Sequence, residues 1–423
     1  MEEKQSSLIS QDSDLLYPEK EKEVSDIIKK FYKLNIPIEI TGSGSKRKIG
    51  RPLQCGKTLS LSKLEGIIEY QPEELFIKVK AGTKIDKIIN ELKKNKQELA
   101  FEPIDFGYLF KGKSDCGTAA GQVACNISGP RRFKVGSTRD HILGFRAVNG
   151  RGEIIKSGGT VVKNVTGYDL SKLICNSFGT LAVLTEITFK VLPSSEESKT
   201  LVIHNLKMDS ASEYLEKAIS SSNEVSGASF LPIEPICKNC EMNIENTFKL
   251  NDLKYGGSFT AFRIEGLKQS IIERLDNLKK ELKVQELDIS VLENLQSEIF
   301  WNKIKNLEFF SATKNNILRI VIPPSECINL IYELPSNFKY FLDWGGAVIW
   351  VEACEISEKK FESIRKRVIK HKGHIAMIKY SDHLPYVEDV FTINSIRFNI
   401  SQNIKKSFDP KRILNPGKMY TGI

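Results

Sequence analysis

From residue 112 to 193 the chain reads GKSDCGTAAGQVACNISGPRRFKVGSTRDHILGFRAVNGRGEIIKSGGTVVKNVTGYDLSKLICNSFGTLAVLTEITFKVLP. Within it Gly117, Gly121, Gly129, Gly136, Gly144, Gly159, Gly167 and Gly179 recur between short β-rich pieces. Glycine tolerates positive φ and lets another group touch the backbone, so this series predicts loops folded against something large and polar. A plain turn would satisfy any one of these glycines. That reading weakens where they stand with Lys163, Asn164, Tyr168 and Asp169 in KNVTGYD, whose charged, amide and phenolic groups are the donors and acceptors a polar ligand needs.

A second cluster lies nearer the N-terminus. After Pro18, Val24, Ile27, Ile28 and Phe31 follow the i, i+3, i+4, i+7 spacing of a helix with one buried face, ended by Asn35 and Pro37. Ile36, Ile38 and Ile40 then alternate as a short strand that runs into TGSGSKRKIG. Exposed backbone N–H groups, two hydroxyls and Lys46, Arg47 and Lys48 make this loop a nest for a diphosphate. Gly66 to Tyr70 and Leu75 to Lys80 read as strands joined at a turn holding Pro72, followed by a helix with Ile85, Ile88, Ile89 and Leu92 on its face. The order indicates an α+β domain. It excludes a Rossmann dinucleotide fold, since no G-x-G-x-x-G stands between strand and helix with an acidic residue about 20 positions on.

TAAGQVA from Thr118, NISGP from Asn126, GSTRD from Gly136, VKNVTGYD from Val162 and GTLAVLTE from Gly179 resemble the FAD-binding (PCMH-type) domain of the vanillyl-alcohol-oxidase type. More narrowly, they are similar to the FAD-binding (E-type) subunits of bacterial glycolate oxidases, also called glycolate dehydrogenases. The likeness runs from PIEITGSGS at Pro37 through LDWGGA at Leu342 to the terminal FDPKRILNPGKMY at Phe408. It implies a two-part FAD-binding domain plus a ferredoxin-like cap. Residues 1–16 would be a flexible tail, 17–194 the FAD-binding domain, 195–404 the cap, and 405–423 a tail returning to the FAD domain.

The resemblance also implies noncovalent FAD, because the histidine that links flavin in some relatives is missing from the first loop. It points to Gly42, Ser43, Gly44, Ser45, Thr118, Gly121, Gly129, Arg139, Asp140, Lys163, Asn164, Tyr168, Gly179, Leu184, Glu186 and Asn415 as cofactor-binding residues. Ala120 replaces the first glycine of the family's T-x-G-G, and Asp140 reads equally as a loop cap. From Gly179 the alternation Val183, Thr185, Ile187, Phe189, Val191 marks a strand with one largely apolar face, its start lying along the adenosine by resemblance.

Beyond residue 196 the glycine density drops. Strand Ser258 to Ile264, helix 268–282, strands Ile317 to Ile322 and Ala347 to Glu352, helix 359–371 and strand His374 to Ile378 give the β-α-β-β-α-β order of a ferredoxin-like unit. The H-x-x-x-x-G-D-G-N-x-H metal segment of related catalytic 2-hydroxyacid dehydrogenases has no counterpart here, so no metal is expected and the catalytic residues stay unassigned. His371, His374 and His383 are the nearest histidines, and clusters this small also arise by chance. Cys237 and Cys240 have the spacing of half a zinc or redox site without a second half. Trp344, Gly345, Gly346 and Trp350 either form an aromatic contact surface or pack inside the cap.

Two functional readings follow. In the first, the chain is the FAD-binding subunit of a glycolate oxidase, beside a catalytic FAD subunit and an iron–sulfur subunit. In the second, it is a self-sufficient FAD-dependent 2-hydroxyacid (D-lactate-like) dehydrogenase. The missing metal segment favours the first.

Composition narrows the setting. At 423 residues there is ample core for two or three domains, and no apolar run nears the ~18 residues of a membrane span. The acidic start MEEKQSS is unlike a secretory signal and indicates a cytoplasmic chain, held at most peripherally on the inner membrane face through its partners. The net charge of +9 is spread out, without the basic patch of a nucleic-acid binder. Eight irregularly spaced cysteines predict reduced thiols.

Overall fold

A computed structural model describes residues 14–161, 167–232, 250, 253, 257–311, 313–354, 356–381, 387 and 390–423. In the N-terminal half, β1 (Leu15–Leu16), β2 (Glu39–Thr41) and β3 (Thr58–Ser60) form a small parallel sheet in the order β1-β3-β2. β4 (Ile67–Gln71), β5 (Phe76–Lys80), β7 (Ile142–Asn149), β8 (Ile154–Gly158) and β9 (Ala182–Lys190) form an antiparallel sheet ordered β4-β5-β9-β7-β8. A short pair, β6 (Gln97–Glu98) with β10 (Leu192–Pro193), closes this half.

Three helices matter here: α1 (Glu21–Leu34), α2 (Ile85–Lys93) and α3 (Ala119–Cys125). The apolar spacing of α1 buries Val24, Ile28 and Phe31, and Asn35 ends the helix in the left-handed region at φ 54°. Glu21 ties α1 to the sheet by accepting from Arg146 Nη2 at 2.6 Å and Thr185 Oγ1 at 2.7 Å. β9 is the central strand and is covered on both sides, so Leu184 and Thr188 are buried as well as Val183 and Ile187. The expectation of a single apolar face is corrected accordingly.

The second half is one eight-stranded antiparallel sheet built from two ferredoxin-like units. The first unit comprises β11 (Glu197–His204), α4 (Met208–Ser220), β12 (Gly227–Leu231), β13 (Phe259–Gly266), α5 (Lys268–Glu281) and β14 (Ile289–Glu293). After α6 (Asn294–Lys305), the second comprises β15 (Asn316–Val321), α7 (Cys327–Glu333), β16 (Lys339–Asp343), β17 (Val348–Ala353), α8 (Glu358–Lys370) and β18 (His374–Lys379). Strand order is β14-β11-β13-β12-β16-β17-β15-β18, so the units meet at β12 and β16, where Phe230 pairs with Leu342. The pattern read from sequence therefore occurs twice; that reading joined the end of the first unit to the second.

The sheet has two different faces. Leu201, Phe262, Leu318, Ile320, Ile349 and Val351 point to α4, α5, α7 and α8. Val202, Ala261, Ile317, Phe341 and Trp350 point the other way, into a core shared with Ile104, Phe106, Cys125 and Phe178 of the N-terminal half. Charge joins the halves as well. Arg131 pairs with Glu98 at 2.7 Å and Glu265 at 2.6 Å, and Arg263 pairs with Glu102 at 2.8 Å. Trp344 and Trp350 are both buried, which resolves the aromatic pair as packing and removes it as an exposed contact surface.

Cys354 is disulfide-bonded, contrary to the expectation of reduced thiols, while Cys55, Cys116, Cys125, Cys175 and Cys327 are free. Linear spacing carries no information about which thiols meet in space. Among the described residues no helix is long and apolar enough to cross a membrane.

The last helix, α9 (Ser395–Phe408), returns the chain to the N-terminal half through a fully buried ion pair. Lys405 Nζ donates to Asp409 Oδ2 at 2.8 Å, Thr180 O at 2.6 Å and Leu414 O at 2.9 Å. Asp409 also accepts from the Ile413 and Leu414 N–H groups. Removing one partner strands the other charge in the core, so Asp409→Ala should cost about 3–5 kcal/mol. Urea unfolding of Asp409→Ala and of the double variant Lys405→Met/Asp409→Leu checks this, with the double variant expected to lose less than the single one.

Candidate functional site: a cleft from three segments

β2 ends in the loop Thr41-Gly42-Ser43-Gly44-Ser45, and the N-terminus of α3 faces it. Gly42 is required by this approach, since a Cβ there would sit 2.2 Å from Thr118 Oγ1. Thr118 caps α3 by accepting from Gly121 N. The C-terminal tail supplies the third wall: Asn415 Oδ1 accepts from Ile40 N at 2.6 Å, and its Nδ2 donates to Phe178 O at 2.8 Å. Gly42, Ser43, Gly44, Ser45, Lys46, Thr118, Gly121, Cys125, Phe178, Asn415 and Lys418 thus line one cleft.

The chemistry of this cleft suits a diphosphate. Ser43 Oγ is buried with no hydrogen-bond partner. Gly44 has φ +79°, and no protein atom lies within 4 Å of where its Cβ would be. The Lys46 and Lys418 ammonium groups are both held by backbone carbonyls, Cys116 O for the former and Arg47 O and Arg51 O for the latter. Burial pushes both amines below the usual lysine range, Lys418 to about 8. Arg47 is engaged by Glu39, which accepts from its Nε at 2.7 Å. Cation charge, unspent donors and open space above a glycine are what an FAD diphosphate needs.

A second cavity shares Cys125 and Phe178 with the first and opens between the two halves. Its cap side is set by the pairing of β15 with β17 and β18. Arg319 stands opposite Trp350 and Ala376, and Val321 opposite His374, so Arg319, Val321, His374 and Ala376 share the face turned to the N-terminal half. The Arg319 guanidinium lies 5.0 Å from the Trp344 ring and 5.6 Å from that of Trp350, and the Arg132 guanidinium also lies 5.0 Å from the Trp344 ring. Arg319 Nε is buried and has no hydrogen-bond partner among the described residues. Burial, with Arg132 adding to it, lowers Arg319 to about 10, which leaves it charged at neutral pH. Trp344 is fixed by donating from Nε1 to Gly129 O at 3.0 Å.

The sequence-derived residues separate under this geometry. Gly42, Ser43, Gly44, Ser45, Thr118, Gly121 and Asn415 come together in the cleft. Gly129 acts through its carbonyl on Trp344, and a Cβ there would meet Glu102. Arg139 is exposed, and Asp140 accepts from Ser137 N and Oγ as a loop cap. Gly179, at φ +71°, permits the close approach of Asn415, since a Cβ there would sit 2.8 Å from Asn415 Nδ2. Leu184 is core, and Glu186 pairs with Lys78 at 2.9 Å. Tyr168 is 93% exposed, and Asp169 caps a helical turn through Lys172 N. Lys163, Asn164, His383, Cys237 and Cys240 lie outside the described residues.

Residues 14–158 match the FAD binding domain family. The chain is 31% identical over 389 residues to glycolate oxidase subunit GlcE of Escherichia coli, covering 92% of this chain and 93% of that one. It is 26% identical to a D-lactate dehydrogenase of Anaerostipes hadrus, with 94% and 87% covered. Among solved structures, 4-ethylphenol oxidase from Gulosibacter chungangensis superposes with a TM-score of 0.69 at 13% identity, covering 96% of this chain and 89% of that one. The matched domain and these relatives define an FAD-linked oxidoreductase, and the superposition shows that it has the fold of that oxidase. Within that class, the chain belongs to the GlcE family of glycolate oxidase subunits.

A side chain at Gly44 would be strained and would project into the open cleft. Gly44→Val is expected to lose bound flavin while keeping the wild-type far-ultraviolet circular dichroism, as read from the ratio of flavin to protein absorbance.

Proposed function

We propose that this chain is the FAD-binding subunit of a multi-subunit glycolate oxidase that converts glycolate to glyoxylate. It works beside a catalytic FAD subunit and an iron–sulfur subunit and passes electrons to an acceptor other than oxygen. The observation that carries the reading is the three-walled cleft, in a chain similar to GlcE along 92% of its length. When bound, FAD supplies the redox chemistry. The backbone N–H groups of the glycine–serine loop and the Lys46 and Lys418 amines hold the diphosphate. Arg319, desolvated and without an ion-paired acid among the described residues, offers a fork for the carboxylate of a 2-hydroxyacid. Phe391, Met419 and Tyr420 line the same cavity.

One observation favours the alternative of a self-sufficient dehydrogenase. His374 lines the cavity that holds Arg319, and burial together with Arg397 lowers its pKa, leaving a neutral imidazole able to take a proton at neutral pH. The subunit reading still ranks first, because the metal-binding histidine segment of the catalytic relatives is missing from the sequence.

Acid denaturation should release the flavin into the supernatant. The isolated, FAD-loaded protein, mixed anaerobically with glycolate or D-lactate, should keep its yellow colour until the partner subunits are added. Bleaching by either acid alone at a catalytic rate would establish the self-sufficient enzyme. Arg319→Met should weaken the apparent affinity of the assembled enzyme for glycolate by about 10- to 100-fold, the worth of a charged hydrogen bond, with flavin content unchanged.

A further inference from the structure

We propose that Lys418 is the cation that the C-terminal strap brings to the cofactor's diphosphate, beside Lys46 from the loop, and that FAD loading is therefore conditional on docking of that strap. The inference rests on the cleft being the FAD site. Lys418 is 93% removed from solvent, at 7% exposure, and it lines the cleft. Two of its three ammonium donors are spent on Arg47 O at 2.7 Å and Arg51 O at 3.2 Å, both carbonyls of the loop that follows the glycine–serine turn. No carboxylate is bonded to it, and its third donor has no partner among the described residues.

The strap itself is held from several sides. Lys405 and Asp409 pin its start, Ile38 N donates to Ile413 O, Asn415 N donates to Ile38 O, and Arg51 bonds the Gly417 and Lys418 carbonyls. A side chain at Gly50 would collide with the Lys418 carbonyl at 2.8 Å, so the loop and strap are built to close on one another. Docking the strap is thus what delivers Lys418 to the cleft that Ser43 and Gly44 also line. Without the strap, the cleft loses Asn415 and Lys418 together.

The consequence is a proton linked to cofactor binding. The titratable groups facing Lys418 are Glu39 from β2, Arg47 from the following loop and the Cys125 thiol from α3, with Lys46 and Arg51 alongside. Burial dominates and Arg47 opposes the charge, while Glu39 and Cys125 favour it, so the amine titrates at about 8. A diphosphate beside it favours the ammonium form and raises that value in the complex. Below pH 8 the group is already charged, and binding is independent of pH on its account. Above pH 8 binding must take up a proton, and affinity falls by up to about tenfold per unit until the pKa of the complex is reached.

The test is fluorescence titration of the full-length apoprotein with FAD from pH 6.5 to 9.5. Wild type should bind with constant affinity to about pH 7.5 and weaken above pH 8. Lys418→Met should bind about 10- to 100-fold more weakly at pH 7 and lose the alkaline weakening. Lys418→Arg, charged throughout, should restore binding and hold it to pH 9.5. A Lys418→Met protein with wild-type affinity and pH profile overturns the inference and leaves the FAD reading intact. If that variant fails to fold, a wild-type profile flat to pH 9.5 overturns it equally. Wild type that takes up no FAD at any pH overturns the proposed function and this inference together.

Discussion

Four side chains clasp the cap to the N-terminal half: Arg131 and Glu102 from that half, and Arg263 and Glu265 from β13. Burial alone would raise the Glu265 carboxyl, but Arg263 and Arg131 hold it down at about 2. Each charge is desolvated, so each depends on the others: a gap in the set would leave an uncompensated ion between two domains. The apolar packing around Phe106, Phe341 and Trp350 contributes area, but the charges fix register, since only one alignment of the halves pairs them all. Everything about the second cavity follows from that alignment, because its walls come from both halves.

How the cap presents Arg319 follows from strand geometry. On β15, alternate residues face opposite ways, and the sequence NILRIV sends Leu318 and Ile320 to the helices. Arg319 is left among rings and apolar side chains on the other face. Guanidinium tolerates this better than ammonium, because its flat, weakly hydrated face stacks on indole. What remains is a half-buried cation with no ion-paired acid among the described residues.

The local elements were legible in the sequence because each rests on a short-range pattern. The spacing of Val24, Ile28 and Phe31 marks a helix whatever surrounds it, and the glycine–serine loop after β2 announces a turn with exposed N–H groups. The cleft's third wall was visible only by resemblance, through Asn415. Lys418, Phe178 and Cys125 carry no local signal, as their role comes from segments hundreds of residues apart meeting. The one cue to Arg319 is an arginine inside an otherwise apolar strand. The doubling of the cap was missed for a related reason: β12, β14 and β16 are short strands whose identity depends on their neighbours in the sheet. Asp140 and Glu186, matched by resemblance, also make a loop cap and an ion pair, and Arg139 donates to Lys172 O, contacts that no local pattern announced.

All three tryptophans of the chain stack against a guanidinium. Trp301 lies 4.8 Å from Arg263 in the ion network, while Trp344 and Trp350 flank Arg319 in the second cavity. Indole emission responds strongly to a nearby charge, and no other tryptophan exists to dilute it. The intrinsic fluorescence of this protein is therefore a built-in gauge of the junction between its halves: one lamp sits on the clasp and two sit on the chamber, so cap movement and ligand arrival can be followed optically without attaching a label.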